Sequence, residues 1–119
     1  MFELGLLPRS LSAALRDVGN PRTEVRLSAL RDLARYARQG EREAGSALLD
    51  ALKDPDEAVR AAAALGLADA NLSFAAARLV ELAENDASSR VRQMALLGLG
   101  ELASSDHGAV LDALWKALS

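Results

Sequence analysis

From Leu11 to Leu118 apolar residues recur at intervals of three and four, the period of helices that bury one face. Leu11, Leu15 and Val18 open the pattern, followed by Val25, Ala29 and Leu33, then by Leu48, Leu49 and Leu52. Val59, Ala63 and Leu67 come next, then Phe74, Leu79, Val80 and Leu82, and after them Val91, Ala95 and Leu99. Val110, Leu111, Leu114, Trp115 and Leu118 close the series. Polar punctuation separates the stripes: Gln39-Gly40, Asn71-Leu72-Ser73 and Ser104-Ser105-Asp106 each mark a break. The pattern predicts seven helices, with a short extra one over Met1–Leu7 covering an end through Phe2, Leu4 and Leu7.

The chain also repeats itself. Aligning Val25-Arg26, Val59-Arg60 and Val91-Arg92 brings it into register with steps of 34 and 32 residues. Five residues before each Val stands Asn20, Asp54 or Asp86; four after it stands Ala29, Ala63 or Ala95; eight after it stands Leu33, Leu67 or Leu99. Asn and Asp are helix-capping types, and Pro21 and Pro55 suit a first helical position. Glu57 behind Asp54 has the spacing of a capping box. Each repeat is thus predicted to pair a first helix, A, with a second, B, starting near residues 21, 55 and 87. The expected architecture is an all-α solenoid of about three and a half helical hairpins in one domain over residues 1–119. The repeats run over about 10–39, 43–71 and 73–104, with a half repeat at 106–118.

Leu49–Gly66, LDALKDPDEAVRAAAALG, resembles the HEAT repeat, in particular the short bacterial form of the phycobilisome-lyase group. The resemblance covers about residues 10–118 and implies a ladder in which the turn Asp and an Arg six residues later bond to neighbouring repeats. Asp54/Arg60 and Asp86/Arg92 fit that pattern, whereas Asn20/Arg26 keeps the spacing with a neutral partner. Capping and inter-repeat bonding account for these six residues without a ligand. The Trp, Gly and Tyr columns of tetratricopeptide repeats, which share the 34-residue period, are missing.

Composition sharpens this picture. The chain has 25 Ala and 23 Leu against two Phe, one Tyr and one Trp, which favours helix over a β sandwich or barrel. Without cysteine, disulfides, thiol catalysis and thiolate metal sites are excluded. The one histidine, His107, falls at an expected exposed helix start, so neither a metal site nor a cofactor is anticipated. No Gly-rich phosphate loop, Ser/His/Asp set or HExxH is present, which points away from an enzyme. No stretch approaches the roughly 18 apolar residues of a membrane span. The first residues lack the basic region of a signal peptide, so the expected location is cytoplasmic. The lack of cysteine and the Ala and Arg richness suggest a bacterial source.

Charge is uneven. Residues 1–60 carry ten Lys/Arg and ten Asp/Glu, residues 61–119 four and seven. A nucleic-acid binder is expected to be basic along a whole face, and this chain is not. On the B helices, positions +2, +6, +9 and +13 from each Val fall roughly opposite the core stripe and are expected to face a partner. The +6 column of HEAT repeats is commonly polar, and here Leu65 and Leu97 depart from that. They suggest an apolar strip rimmed by Asp69 and Glu101, the other reading being that both leucines join the inter-repeat core. Arg31, Arg35, Arg38 and Arg42 share one face of the first B helix; they suit an acidic peptide or phosphate, or form a solvated face balanced by Asp32, Glu41 and Glu43.

The function expected from these features is a non-enzymatic adaptor that holds a protein or peptide on its B-helix face, with a second copy of the chain as one candidate partner. Two alternatives come from resemblance alone. One is a subunit of a lyase attaching bilin chromophores; the other is nucleic-acid binding in the manner of HEAT-like DNA glycosylases. The core columns yield a direct prediction: Leu67→Ala or Leu99→Ala lowers stability by about 2–5 kcal/mol in urea denaturation. Leu65→Glu is expected to change it little.

Overall fold

The computed structural model describes residues 7–119, so the helix expected over Met1–Leu7 falls almost wholly outside the described residues. These form seven α-helices and no strand: α1 (Leu11–Asp17), α2 (Thr23–Arg38), α3 (Arg42–Ala51), α4 (Glu57–Asp69), α5 (Ala76–Asn85), α6 (Ser89–Ser105) and α7 (His107–Leu118). A 3-10 turn, Ser73–Ala75, leads into α5. Helices α1–α2, α3–α4 and α5–α6 are the three hairpins, and α7 follows as an A helix without a B partner. The B helices α2, α4 and α6 pack side by side, with the A helices as the second layer. The result is an elongated α-solenoid with extents of 53 × 29 × 22 Å.

The core lies between the layers. Ala29, Leu33, Val59, Ala63, Leu67, Val91, Ala95 and Leu99 are all buried, whereas Val25, in the first repeat, is only half-buried; Leu48 and Leu79 meet the core from the A side. Neighbouring B helices approach closely because small residues face each other. A Cβ on Gly98 of α6 would sit 3.3 Å from the Ala68 Cβ and 3.4 Å from the Ala64 carbonyl oxygen of α4, so any larger residue would push the helices apart. The breaks are built from the residues that mark them in sequence. Gly40, with φ at 93°, ends α2, and Asn71, with φ at 60°, ends α4.

The helix starts differ from expectation. The N-cap residues of the B helices are Arg22, Asp56 and Ser88, two positions after Asn20, Asp54 and Asp86. Asp56 Oδ1 accepts from the Ala58 N–H at 2.8 Å, and Ser88 Oγ accepts from the Val91 N–H. Pro21 and Pro55 therefore precede the cap instead of opening the helix, and Glu57 is the first helical residue, not the closing residue of a capping box. Asn20, Asp54 and Asp86 make a turn ahead of the helix: each Oδ1 accepts from the N–H two residues on at 2.9 Å.

The same carboxylates join the repeats. Arg26 donates through Nε and Nη2 to both oxygens of Asp54, at 2.9 and 3.1 Å; Arg60 does the same to Asp86, at 3.0 Å twice. Each Arg also donates through Nη1 to carbonyls of its own turn: Arg26 to Asn20 and Pro21, Arg60 to Asp54 and Pro55, Arg92 to Asp86 and Ala87. Asn20 takes part only through its turn and its carbonyl.

The N-terminal end is closed by a residue outside the repeat pattern. Arg9 donates to Asp17 (2.8 Å), Asp32 (3.0 Å) and Ser28 (2.8 Å), while its carbonyl accepts from the Tyr36 hydroxyl (2.7 Å). Asp32 occupies the column that is Gly66 and Gly98 in the other B helices, seven after the aligned Val. At the opposite end the expected core face of α7 is only partly covered. Val110 and Ala113 are buried, but Leu111, Leu114, Trp115 and Leu118 are exposed, because no B helix lies over them among the described residues. Phe74 is likewise exposed, at the 3-10 turn.

Burial pushes the Asp86 carboxyl up, but the Arg60 guanidinium and the Ser88 N–H outweigh it and hold the group below the usual carboxylate range. A lowered folded value means that this contribution is present above the unfolded pKa, about 3.9, and is lost as pH falls through the folded one. Asp86→Asn is expected to cost about 1.5–3 kcal/mol near pH 7. The gap from wild type closes in acid, as equilibrium unfolding across pH will show.

Candidate functional site

The outward face of the B layer carries a groove of about 430 Å³ running over α2, α4 and α6. Its apolar lining includes Leu27 and Leu30 from α2, Ala58, Ala62 and Leu65 from α4, and Met94 from α6, with Arg31, Asp69 and Arg90 as its charged residues. Along α4 the outward stripe is Ala58, Ala62 and Leu65, all half-buried, and the exposed Asp69; along α6 it is the half-buried Met94 with the exposed Arg90, Leu97 and Glu101. These are positions −1, +3, +6 and +10 from the aligned Val. The groove takes in part of the expected stripe, with Leu27 and Ala61 at +2, Arg31 and Leu65 at +6 and Ala34 at +9, and extends beyond it to −1, +3 and +10. Ala34, Ala61 and Ala68 are buried, Ala34 and Ala68 against the next B helix, whereas Gln93 and Gly100 of α6 are exposed.

The structure separates the residues singled out in the sequence. Leu65 is half-buried in the groove wall, so it serves partly as exposed strip and partly as inter-repeat packing. Leu97 is exposed at 57% but lies beyond the groove, on the open side of α6. Arg31 is exposed and lines the groove. Arg35 is turned to its own helix, donating to Asp32 at 3.1 Å and stacking 4.6 Å above the Tyr36 ring. Arg38 is exposed one turn further on, and Arg42 lines a separate hollow beside α1 and α3. The four arginines therefore do not converge on one pocket. His107 is the exposed first residue of α7, whose start Asp106 caps by accepting from Ala109 at 3.1 Å.

Arg90 and Met94 are groove residues that the sequence reading passed over. The signal was available: they stand four residues apart and three before Leu97, on one face of α6. Charge along the groove is ordered. Arg90 lies where α6 begins and Asp69 where α4 ends, with Arg31 midway along α2; Glu101, in the same column as Asp69, stands outside the lining. Loss of hydration and the adjacent Asp69 carboxylate raise Glu101 above the usual carboxylate range. Two like charges held together cost stability when both are ionised and favour a cationic group placed between them. A raised folded value means that stability falls as pH rises from the unfolded pKa through the folded one. Glu101→Gln is therefore expected to raise the melting temperature at pH 7 and to leave it unchanged at pH 3.

Comparison with known proteins adds one positive finding. The family model of HEAT repeats matches residues 8–100 and again residues 45–119. The two matches overlap in registers shifted by about one repeat, as a chain of similar hairpins should. No curated protein is similar enough to the chain to count as a match.

Proposed function

The chain belongs to the HEAT-repeat family, and on that basis we propose that it is a non-enzymatic adaptor that binds a peptide segment of a partner protein in its B-helix groove. HEAT repeats generally serve as scaffolds for protein interaction, and the family is generally non-catalytic. The observation that carries the more specific reading is the groove itself, with its apolar floor at Leu65 and Met94 and opposite charges toward its two ends.

Such a groove selects by order. An apolar side chain of the peptide covers Leu65 and Met94 and removes exposed surface from water. An acidic residue of the peptide pairs with Arg90, and a basic residue beyond the apolar one is drawn to Asp69 and the neighbouring Glu101. Reversing the peptide places like charges together at both ends, so direction as well as composition is discriminated. The rim charges are exposed and act chiefly on association rate and specificity; burial at the floor supplies the affinity.

Selection from a displayed random-peptide library is expected to enrich peptides with an acidic–apolar–basic order. Leu65→Glu, checked for folding by circular dichroism, is expected to lose them. Arg90→Glu, at an exposed position, is expected to shift the enriched acidic position to a basic one. Peptides that bind both variants as they bind the wild type would move the site off the groove.

A further inference from the structure

The groove over α4 is poor in groups that could hold an extended peptide. Its floor and walls are helices, whose backbone N–H and C=O groups already bond along their own axes. Among its lining side chains only Arg31, Asp69 and Arg90 are polar, and there is no amide or hydroxyl. An extended segment laid on this surface loses water from its peptide groups and finds few partners in exchange. A helix brings its backbone bonds with it.

The shape of the floor agrees. Ala58, Ala62 and Leu65 stand at i, i+4 and i+7 on α4, the spacing of a seam along which one helix packs on another. Ala58 and Ala62 are small and half-buried, so a second backbone can come close, and Leu27 of α2 and Met94 of α6 flank them. Gly98, at +7 on α6, lies against Ala64 at +5 and Ala68 at +9 on α4, so equal positions of the two helices stand level. From Arg90 at −1 to Asp69 at +10 the groove therefore runs for roughly 16 Å, or three helical turns.

We propose that the occupant of this groove is an amphipathic α-helix of a partner protein, about three turns long and parallel to α4. The proposal rests on the peptide-binding reading above and gives the peptide its conformation and direction. An acidic residue in the first turn of the helix meets Arg90, and a basic residue in its last turn meets Asp69 and the neighbouring Glu101. The same order steadies the helix itself, whose N-terminal end favours negative side chains and whose C-terminal end favours positive ones. Large apolar residues of the helix seat over Ala58 and Ala62, and a small one faces Leu65. Further hairpins of the repeat do not supply this helix, because they stack beside α2 or α6 and leave the outward face of α4 open. A second copy meeting the groove with its own outward face presents the same hollow.

Met94 reports on the groove, and the chain has one other methionine, Met1. Isotope-labelled methionine methyl groups thus give two signals, assigned by Met94→Leu. The probe is a synthetic peptide of about fourteen residues with Glu in its first turn, Leu at helical spacing and Arg in its last turn. A lactam bridge on its outer face holds it helical. It is expected to shift the Met94 signal saturably, and the same peptide with a central proline to bind about a hundredfold more weakly. An unbridged peptide of about five residues, which spans the same length when extended, is expected to leave the signal unmoved. Replacing the first-turn Glu by Arg weakens binding about tenfold in the wild type and strengthens it in Arg90→Glu.

Equal affinity for the bridged and proline peptides, or a shift by the short peptide instead, overturns the helix and leaves the groove as the binding site. No reversal in Arg90→Glu overturns the direction. A shift that survives Leu65→Glu in a variant with unchanged circular dichroism, or no shift with any peptide at millimolar concentration, removes the groove reading and this proposal with it. A shift that follows protein concentration alone assigns the groove to a second copy and overturns the partner helix.

Discussion

Everything in this solenoid is set out from one arrangement, the aspartate that turns the chain into a B helix while accepting the arginine of the repeat before it. Asp54 Oδ1 accepts from the Asp56 N–H and from Arg26 Nη2 at once, and Asp86 Oδ1 does the same with Ser88 and Arg60. Because one oxygen serves both bonds, the entry of each helix and its distance from the previous helix are fixed together. The arginine is tied in turn to two carbonyls of its own turn, so it does not swing. Side-chain exposure at these rungs is between 7% and 16%, low enough that removing one partner strands the other. Apolar columns supply most of the burial, but they would tolerate sliding by a turn; the rungs do not.

With the register fixed, small residues can be placed where helices must meet. Ala64, Ala68 and Gly98 let α4 and α6 approach until backbone touches side chain. That close approach buries Ala61 at +2 and Ala34 and Ala68 at +9, and opens the groove over the neighbouring −1, +3, +6 and +10 positions. The groove is thus a by-product of alanine-rich packing. Its floor is apolar because Leu65 and Met94 are the large residues left on the outer stripe, and its charges stand at the helix ends, where the stripe runs out.

The repeat, the helix count and the core columns were legible from sequence because each is written three times. Ala63 and Leu67 have buried copies on both sides, and Val59 has one in Val91, Val25 being half-buried. Two kinds of feature were harder to read. Offsets of two residues, such as Asp56 capping in place of Asp54, depend on whether a proline sits inside the helix or ahead of it, and both arrangements satisfy the local chemistry. The reach of the groove to the −1 and +3 positions depends on how closely the helices pack, which a single-helix projection does not contain; hence Leu65 was recognised whereas Arg90 and Met94 were not. Arg9 was missed for another reason. It belongs to no column, and only Asp32, charged where its counterparts are glycine, hinted that something cationic must meet it.

That Arg9–Asp32 contact carries a consequence for how the molecule behaves in a crowd. A stack of similar hairpins with two sticky ends is the building block of a fibre, since each end matches the other and the contact never closes on itself. Here Asp32, 16% exposed and held by Arg9 at 3.0 Å, sets an ion pair in the column where the other B helices carry the glycine that closes over the preceding helix. The first B helix is therefore a poor surface for the last B helix of another copy to lie on. That polar seal makes end-to-end addition of a second copy unfavourable. The exposed leucines of α6 and α7 have no matching apolar face on α2 among the described residues.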